Sequence, residues 1–134
     1  MLLRQQYKNK YKFLLIESDP ECTGPSTDMF ILGEWIAFSC QLTYRGHWAP
    51  QIVCRDGDNN TLTGIEEVSR TQNLVETITH KINVTATASM NGGSFSCTTN
   101  FSDPLDPPPE ENGATNVLDY EHIHTFPEVT VHCK

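Results

Sequence analysis

Gly33-Glu34-Trp35-Ile36-Ala37-Phe38-Ser39-Cys40 and Asn91-Gly92-Gly93-Ser94-Phe95-Ser96-Cys97 are the two stretches that decide the fold. Each leads through an alternating segment to a cysteine, and alternation is the period of a strand with one buried face. In the first, Ile36, Phe38, Cys40 and Leu42 fall on one side, and Ala37, Ser39, Gln41 and Thr43 on the other. Trp35 goes with the polar set and is therefore expected on the outer face. Fifty-six residues separate Cys40 from Cys97.

Further strands extend outward from these two. Met29–Leu32 is a short candidate, and Gln51–Asp56 is another, followed by the turn signal Asp56-Gly57. Thr61–Thr63 and Val68–Val75 are weaker. Thr77–Ala88 alternates, with an irregularity expected near His80, where the apolar register is interrupted. Ser94–Phe101, Val117–Phe126 and Val129–His132 complete the set. Pro127 lacks a backbone donor, so the last strand should kink or change partner there. Many short strands at this spacing, without helical periodicity, predict an all-β sandwich.

At 134 residues the chain is long enough for one domain with a sizeable core. The net charge is −8, which argues against a nucleic-acid partner. Arg4, Lys8, Lys10 and Lys12 give the first twelve residues +4, so −8 overall leaves −12 for the rest. No apolar run reaches the length of a membrane-spanning helix, so any membrane attachment would use a segment outside this chain. Residues 1–21 are read as an N-terminal tail or leader, with an extended piece at Tyr11–Glu17, and 22–134 as the domain. No clear secretion signal is legible in the first residues.

Five cysteines suggest an oxidising compartment. Asn59-Asn60-Thr61, Asn83-Val84-Thr85 and Asn100-Phe101-Ser102 have the form of N-glycosylation acceptors. One such triplet arises readily by chance; three in a cysteine-containing β chain favour an extracellular location, on the cell surface or secreted.

The segments ending in Cys40 and Cys97 resemble those of immunoglobulin superfamily domains, over roughly residues 22–133. In that family the second strand opens on Gly-Asp/Glu, here Gly33-Glu34, and the sixth reads Asp-x-Gly-x-Tyr-x-Cys, here Asn91 to Cys97. The cysteine interval is similar to the intermediate or C2 type, and no Phe-Gly-x-Gly joining segment follows. Tyr44–Pro50 is similar to segments of invertebrate immunoglobulin-domain surface proteins. The resemblance implies a two-sheet antiparallel Greek-key sandwich pinned by a Cys40–Cys97 disulfide between sheets.

Three departures stand out. Phe95 replaces the usual tyrosine and lacks its hydroxyl. Cys54 stands fourteen residues after Cys40, where the family has a core tryptophan; Trp48 lies six residues earlier. Cys54 is therefore expected as a free thiol, buried as a small hydrophobe, with Trp48 or Trp35 covering the vacated volume. Cys22 and Cys133 bracket the domain, and since first and last strands are neighbours in many such domains, a Cys22–Cys133 bridge is expected. Fifteen two-bridge connectivities are open on paper.

Catalytic signatures are absent: no Cys-x-x-Cys pair, phosphate-cradling glycine loop or nucleophile elbow. His122-Ile123-His124 would put two imidazoles on one strand face, and His132 or Glu121 could complete a metal site. Strand histidines on a solvated face are the commoner arrangement, and no metal or other cofactor is expected. Asp103, Asp106, Glu110 and Glu111, set among four prolines, form an acidic loop. It could hold calcium, but a solvated loop kept soluble by its charge is preferred.

The chain is thus expected to be no enzyme but a recognition or adhesion module of a larger protein. Its partner would be a protein ligand or counter-receptor, a second copy of itself included, met through Trp35 or the acidic loop. A structural spacer in a tandem array, with no ligand of its own, is the alternative.

Overall fold

The computed structural model describes residues 2–7, 10–70, 75–102 and 119–133. The acidic loop, including Asp103, Asp106, Glu110 and Glu111, lies outside them.

Alternation in the sequence becomes alternation of burial. β5 (Trp35–Gly46) buries Ile36, Phe38, Cys40, Leu42 and Tyr44 and turns the residues between them outward. It pairs antiparallel over eleven residues with β8 (Val75–Thr85), which pairs in turn with β7 (Ile65–Arg70). The other edge of β5 is covered twice: β2 (Lys10–Leu15) pairs at its end and β3 (Glu21–Thr23) at its middle. β1 (Leu2–Tyr7) folds back on β2 and completes this six-stranded sheet. The facing sheet has three strands, with β9 (Ser96–Ser102) between β6 (Gln51–Arg55) and β10 (Asp119–Thr125). β4 (Met29–Ile31) and β11 (Thr130–His132) form a parallel pair at the side.

The expected strands are present with shifted ends. The Val68–Val75 candidate meets β7 only over Val68–Arg70; residues 71–74 lie outside the described residues and Val75 opens β8, while Thr61–Thr63 contributes a single bridge from Thr61 to Arg55. Asp56 supports the turn that follows β6: its carboxylate accepts hydrogen bonds from the backbone amides of Asp58 and Asn60, at 3.0 and 2.9 Å. Pro127 marks the expected change of partner, from β9 along β10 to β4 along β11.

Residues ahead of Cys22 are more than a tail. Leu14 and Ile16 are fully buried in the core, because β2 and β3 are successive parts of one edge strand along β5. The approach is tight at Gly46, whose φ is +141° and where a Cβ would collide with the Phe13 carbonyl oxygen. β8 shows no slip at His80. Its pairing runs unbroken, and His80 takes an inner-face position opposite Cys40, with Nδ1 buried and lacking a hydrogen-bond partner. The polar residue interrupts the apolar pattern, not the backbone.

The disulfides differ from the expected set. Cys22 bonds Cys40, and Cys54 bonds Cys97. Strand register is the reason: Cys22 stands directly opposite Cys40 on β3–β5, and Cys54 directly opposite Cys97 on β6–β9. Cys54, at the position of the missing tryptophan, is therefore no free thiol but the partner of Cys97. Cys133 cannot reach Cys22. The parallel β4–β11 pair places His132 opposite Ile31, whereas Cys22 lies seven residues before Met29 on a strand of the other sheet. Cys133 is the free, exposed cysteine.

The sheets meet through aromatic rings. Phe38 packs against Phe95 and Phe126, each at 4.9 Å between centroids. Phe95 thus fills the core without the tyrosine hydroxyl. Trp48 is half-buried against Phe101 at 5.5 Å, while Trp35 points away and covers nothing in the core.

Non-reducing peptide mapping is expected to recover Cys22 joined to Cys40, Cys54 joined to Cys97, and Cys133 alone as the alkylated residue. A Cys40–Cys97 peptide would contradict this pairing. In the chain-entropy view, loops spanning 18 and 43 residues correspond to about 3 and 4 kcal/mol. Replacing Cys54 and Cys97 together by Ala should therefore lower the melting temperature at least as far as replacing Cys22 and Cys40.

Candidate interaction faces

The outer face of the three-stranded sheet follows from its register. Ile123, Thr98 and Val53 form one row across β10, β9 and β6. Glu121, Asn100 and Gln51 form the row on one side, and Thr125, Ser96 and Arg55 the row on the other. Ile123 is 57% exposed, with Val53 and Thr98 half-buried beside it. Ile123 and Val53, with the Thr98 side chain between them and polar side chains on both sides, have the make-up of a small protein-binding patch, with a centre that can be dried and a rim that stays hydrated.

The opposite faces of these strands point inward. His122 and His124 do share a face, but it is this half-buried inner one, opposite Thr99 and Cys97. His124 packs edge-on against Phe126 at 4.6 Å, and His122 Nε2 lies 3.8 Å from Asp19. Among the described residues no group of three or more His, Cys, Asp or Glu side chains is placed to hold a metal ion. Asp19 also accepts a hydrogen bond from the Tyr120 hydroxyl at 3.3 Å. Burial, reinforced by the Asp19 charge, pushes the Tyr120 phenol up to about 12. These contacts tie the segment ahead of β3 to the edge of the facing sheet.

A second polar row braces the six-stranded sheet. Tyr44, Glu76 and Arg70 stand opposite one another on β5, β8 and β7. The Tyr44 hydroxyl donates to the Glu76 carboxylate, and Arg70 Nε donates to it at 2.6 Å. The Tyr44 hydrogen bond, opposed by burial and aided by Arg70, holds the Glu76 carboxyl below the usual range, while burial pushes the Tyr44 phenol up.

Trp35 is 65% exposed, on the outer face of the six-stranded sheet as its alternation requires. It therefore does not join the Ile123 row, which lies on the other sheet. Asn83 is exposed on the same face as Trp35, Asn100 is half-buried in the central strand of the facing sheet, and Asn59 is exposed in the turn after β6 with φ +67°. The Ile123–Thr98–Val53 row was not singled out from sequence. Its signal was the apolar residue between two histidines, whose alternation puts it on the opposite face from them.

No family model matches the chain, and no curated protein matches it. Solved structures do. The structure described as Rst D1-D2 superposes with a TM-score of 0.51 at 16% identity, covering 92% of this chain and 62% of that one. The tandem Ig repeats of Dlar match at 18% identity and a TM-score of 0.31, over 85% of this chain and 47% of that one. This chain thus spans less than two thirds of either. The likeness to Rst D1-D2, with the two facing antiparallel sheets, establishes an immunoglobulin-like fold. No helix among the described residues is long and apolar enough to cross a membrane.

Glu76 makes the acid limit of stability testable. A lowered folded-state pKa contributes stability above the ordinary glutamate value and loses it as pH falls through the lowered one. Tyr44→Phe removes the largest lowering influence, so acid unfolding should begin at higher pH. At neutral pH the loss should be about 1.5–3 kcal/mol, the scale of a hydrogen bond to a charged group. Urea unfolding between pH 7 and 3 reads both effects; parallel curves for variant and wild type would refute the assignment.

Proposed function

We propose that this chain is an extracellular recognition or adhesion module of a larger cell-surface or secreted protein. It binds a protein partner through the outer face of β6, β9 and β10. The observation that carries this reading is the Ile123–Thr98–Val53 row, with Ile123 57% exposed and rimmed by Glu121, Gln51 and Arg55. A partner that dries this row gains from apolar burial, while the rim sets orientation. The acidic residues Asp103, Asp106, Glu110 and Glu111 lie in the segment between β9 and β10, so they would speed encounter with a basic partner. Two disulfides support the oxidising location. The role is binding and not catalysis, with no cofactor, no nucleic acid, and membrane attachment only through a segment outside this chain.

The spacer reading has its own support: Thr98 at the centre of the row and the six residues flanking the row are polar, and Asn100 in that face lies in a glycosylation triplet.

Beads coated with the domain discriminate the two. Under the binding reading, wild-type beads cluster with one another or are captured on cells, and Ile123→Lys beads are not, although Ile123→Lys melts within about 1 °C of wild type, as expected for an exposed site. If wild type and variant bind equally well, this face is not the binding site; if neither binds in either assay, the spacer reading is preferred.

A further inference from the structure

Two of the most exposed large apolar side chains, Trp35 and Ile65, flank one glycosylation triplet. On the outer face of the six-stranded sheet, Trp35 pairs with Thr85 and Ala37 pairs with Asn83. Asn83 and Thr85, the first and third residues of Asn83-Val84-Thr85, are both exposed on this face, and Val84 faces inward. Trp35 is therefore the diagonal neighbour of Asn83, at the roughly 7–8 Å typical of such pairs. Ala37 contributes only a methyl group, so no long side chain from β5 stands opposite the asparagine.

The other flank is equally open. The chain reaches β7 through Gly64, where a Cβ would lie 2.7 Å from Ile82 Cδ1 and from the Lys81 carbonyl oxygen. Glycine lets this segment lie flat against β8. Beside it runs a groove of about 520 Å³, lined by Ala37, Gly64, Ile65, Lys81 and Asn83 among others. Ile65, 69% exposed, forms part of its wall. The other two triplets lack such surroundings. Asn59 takes a left-handed turn conformation that asparagine tolerates well, and Asn100 is half-buried between Gln51 and Glu121.

We propose that Asn83 carries an N-linked glycan whose first N-acetylglucosamine packs against the Trp35 indole. In the transfer, the Asn83 amide nitrogen forms a bond to the anomeric carbon of an oligosaccharide held on a lipid diphosphate. The bond from that carbon to phosphate breaks, the lipid diphosphate leaves, and the amide loses one proton. The ring C–H groups of the sugar then cover the indole face, removing from water an aromatic side chain that the described residues leave 65% exposed. Trp35 thus serves the glycan and not a protein partner, and this face is shielded while the Ile123 row stays available. The inference rests on the extracellular reading above.

The test uses the full chain behind a secretion leader in a glycosylating eukaryotic host. Glycopeptide mass spectrometry reads occupancy, and melting reads the packing. Asn83 should be occupied, and Asn83→Gln should lower the melting temperature by about 3–5 °C, the shift of one modest contact in a domain this size. In a Trp35→Ala background the same Asn83→Gln change should cost less than about 1 °C. Asn59→Gln or Asn100→Gln should show no such dependence on Trp35. An unmodified Asn83 in a chain glycosylated at Asn59 or Asn100 overturns the inference and leaves the extracellular reading standing. An equal loss with and without Trp35, or no loss at all, overturns the packing. Absence of glycan at all three positions removes the inference and counts against the extracellular reading as well.

Discussion

The two sheets are held together by apolar packing, with no covalent tie between them. Each disulfide joins neighbouring strands of one sheet: Cys22–Cys40 fastens β3 to β5, and Cys54–Cys97 fastens β6 to β9. What spans the sandwich is Phe38 of one sheet set between Phe95 and Phe126 of the other side of the core. Both candidate faces depend on that aromatic contact, because each is the back of a sheet whose front is pressed into it. Burial of large rings supplies much of the energy of such a core. It is less forgiving than a bridge across the sheets, since any loss of ring volume is felt at once.

Polar contacts act at the margins of this core and define its edges. The Tyr44–Glu76–Arg70 row fixes three strands in register at one end of the larger sheet. Asp19 joins the segment ahead of β3 to Tyr120 and His122 at the edge of the smaller one. Each replaces part of the hydration its groups give up with a charge-assisted contact. Together they hold the edge strands, the parts of a sandwich most prone to fray. A steady outer face is what either a protein partner or a glycan requires.

The strands with clear alternation were legible from residue type alone. β5 is the best case, since its inward and outward residues follow from period two. The partner change at Pro127 was legible too, because a residue without an N–H interrupts a ladder wherever it falls. The course of β2 was not. Leu14 and Ile16 lie in a short apolar run with basic residues ahead of it, and nothing local says that β5 has a vacant edge to receive them. His80 was misread for a related reason. A polar side chain on an inward position looks like a slipped register until the paired strand is seen to continue past it.

Residue pattern by itself determined the sandwich: alternation fixes which side chains face inward whatever the strands pair with. It also placed Trp35 outward and marked Asn83 and Thr85 as one triplet. Only the tertiary structure decided which cysteines meet. Cα positions that stand opposite one another depend on strand order and register, which are set by packing across the whole domain and not by any local spacing. For the same reason, only the fold put Trp35 beside Asn83, and Ile123 in line with Val53. Those neighbours lie about fifty to seventy residues apart in the chain and are brought together only by the pairing of strands.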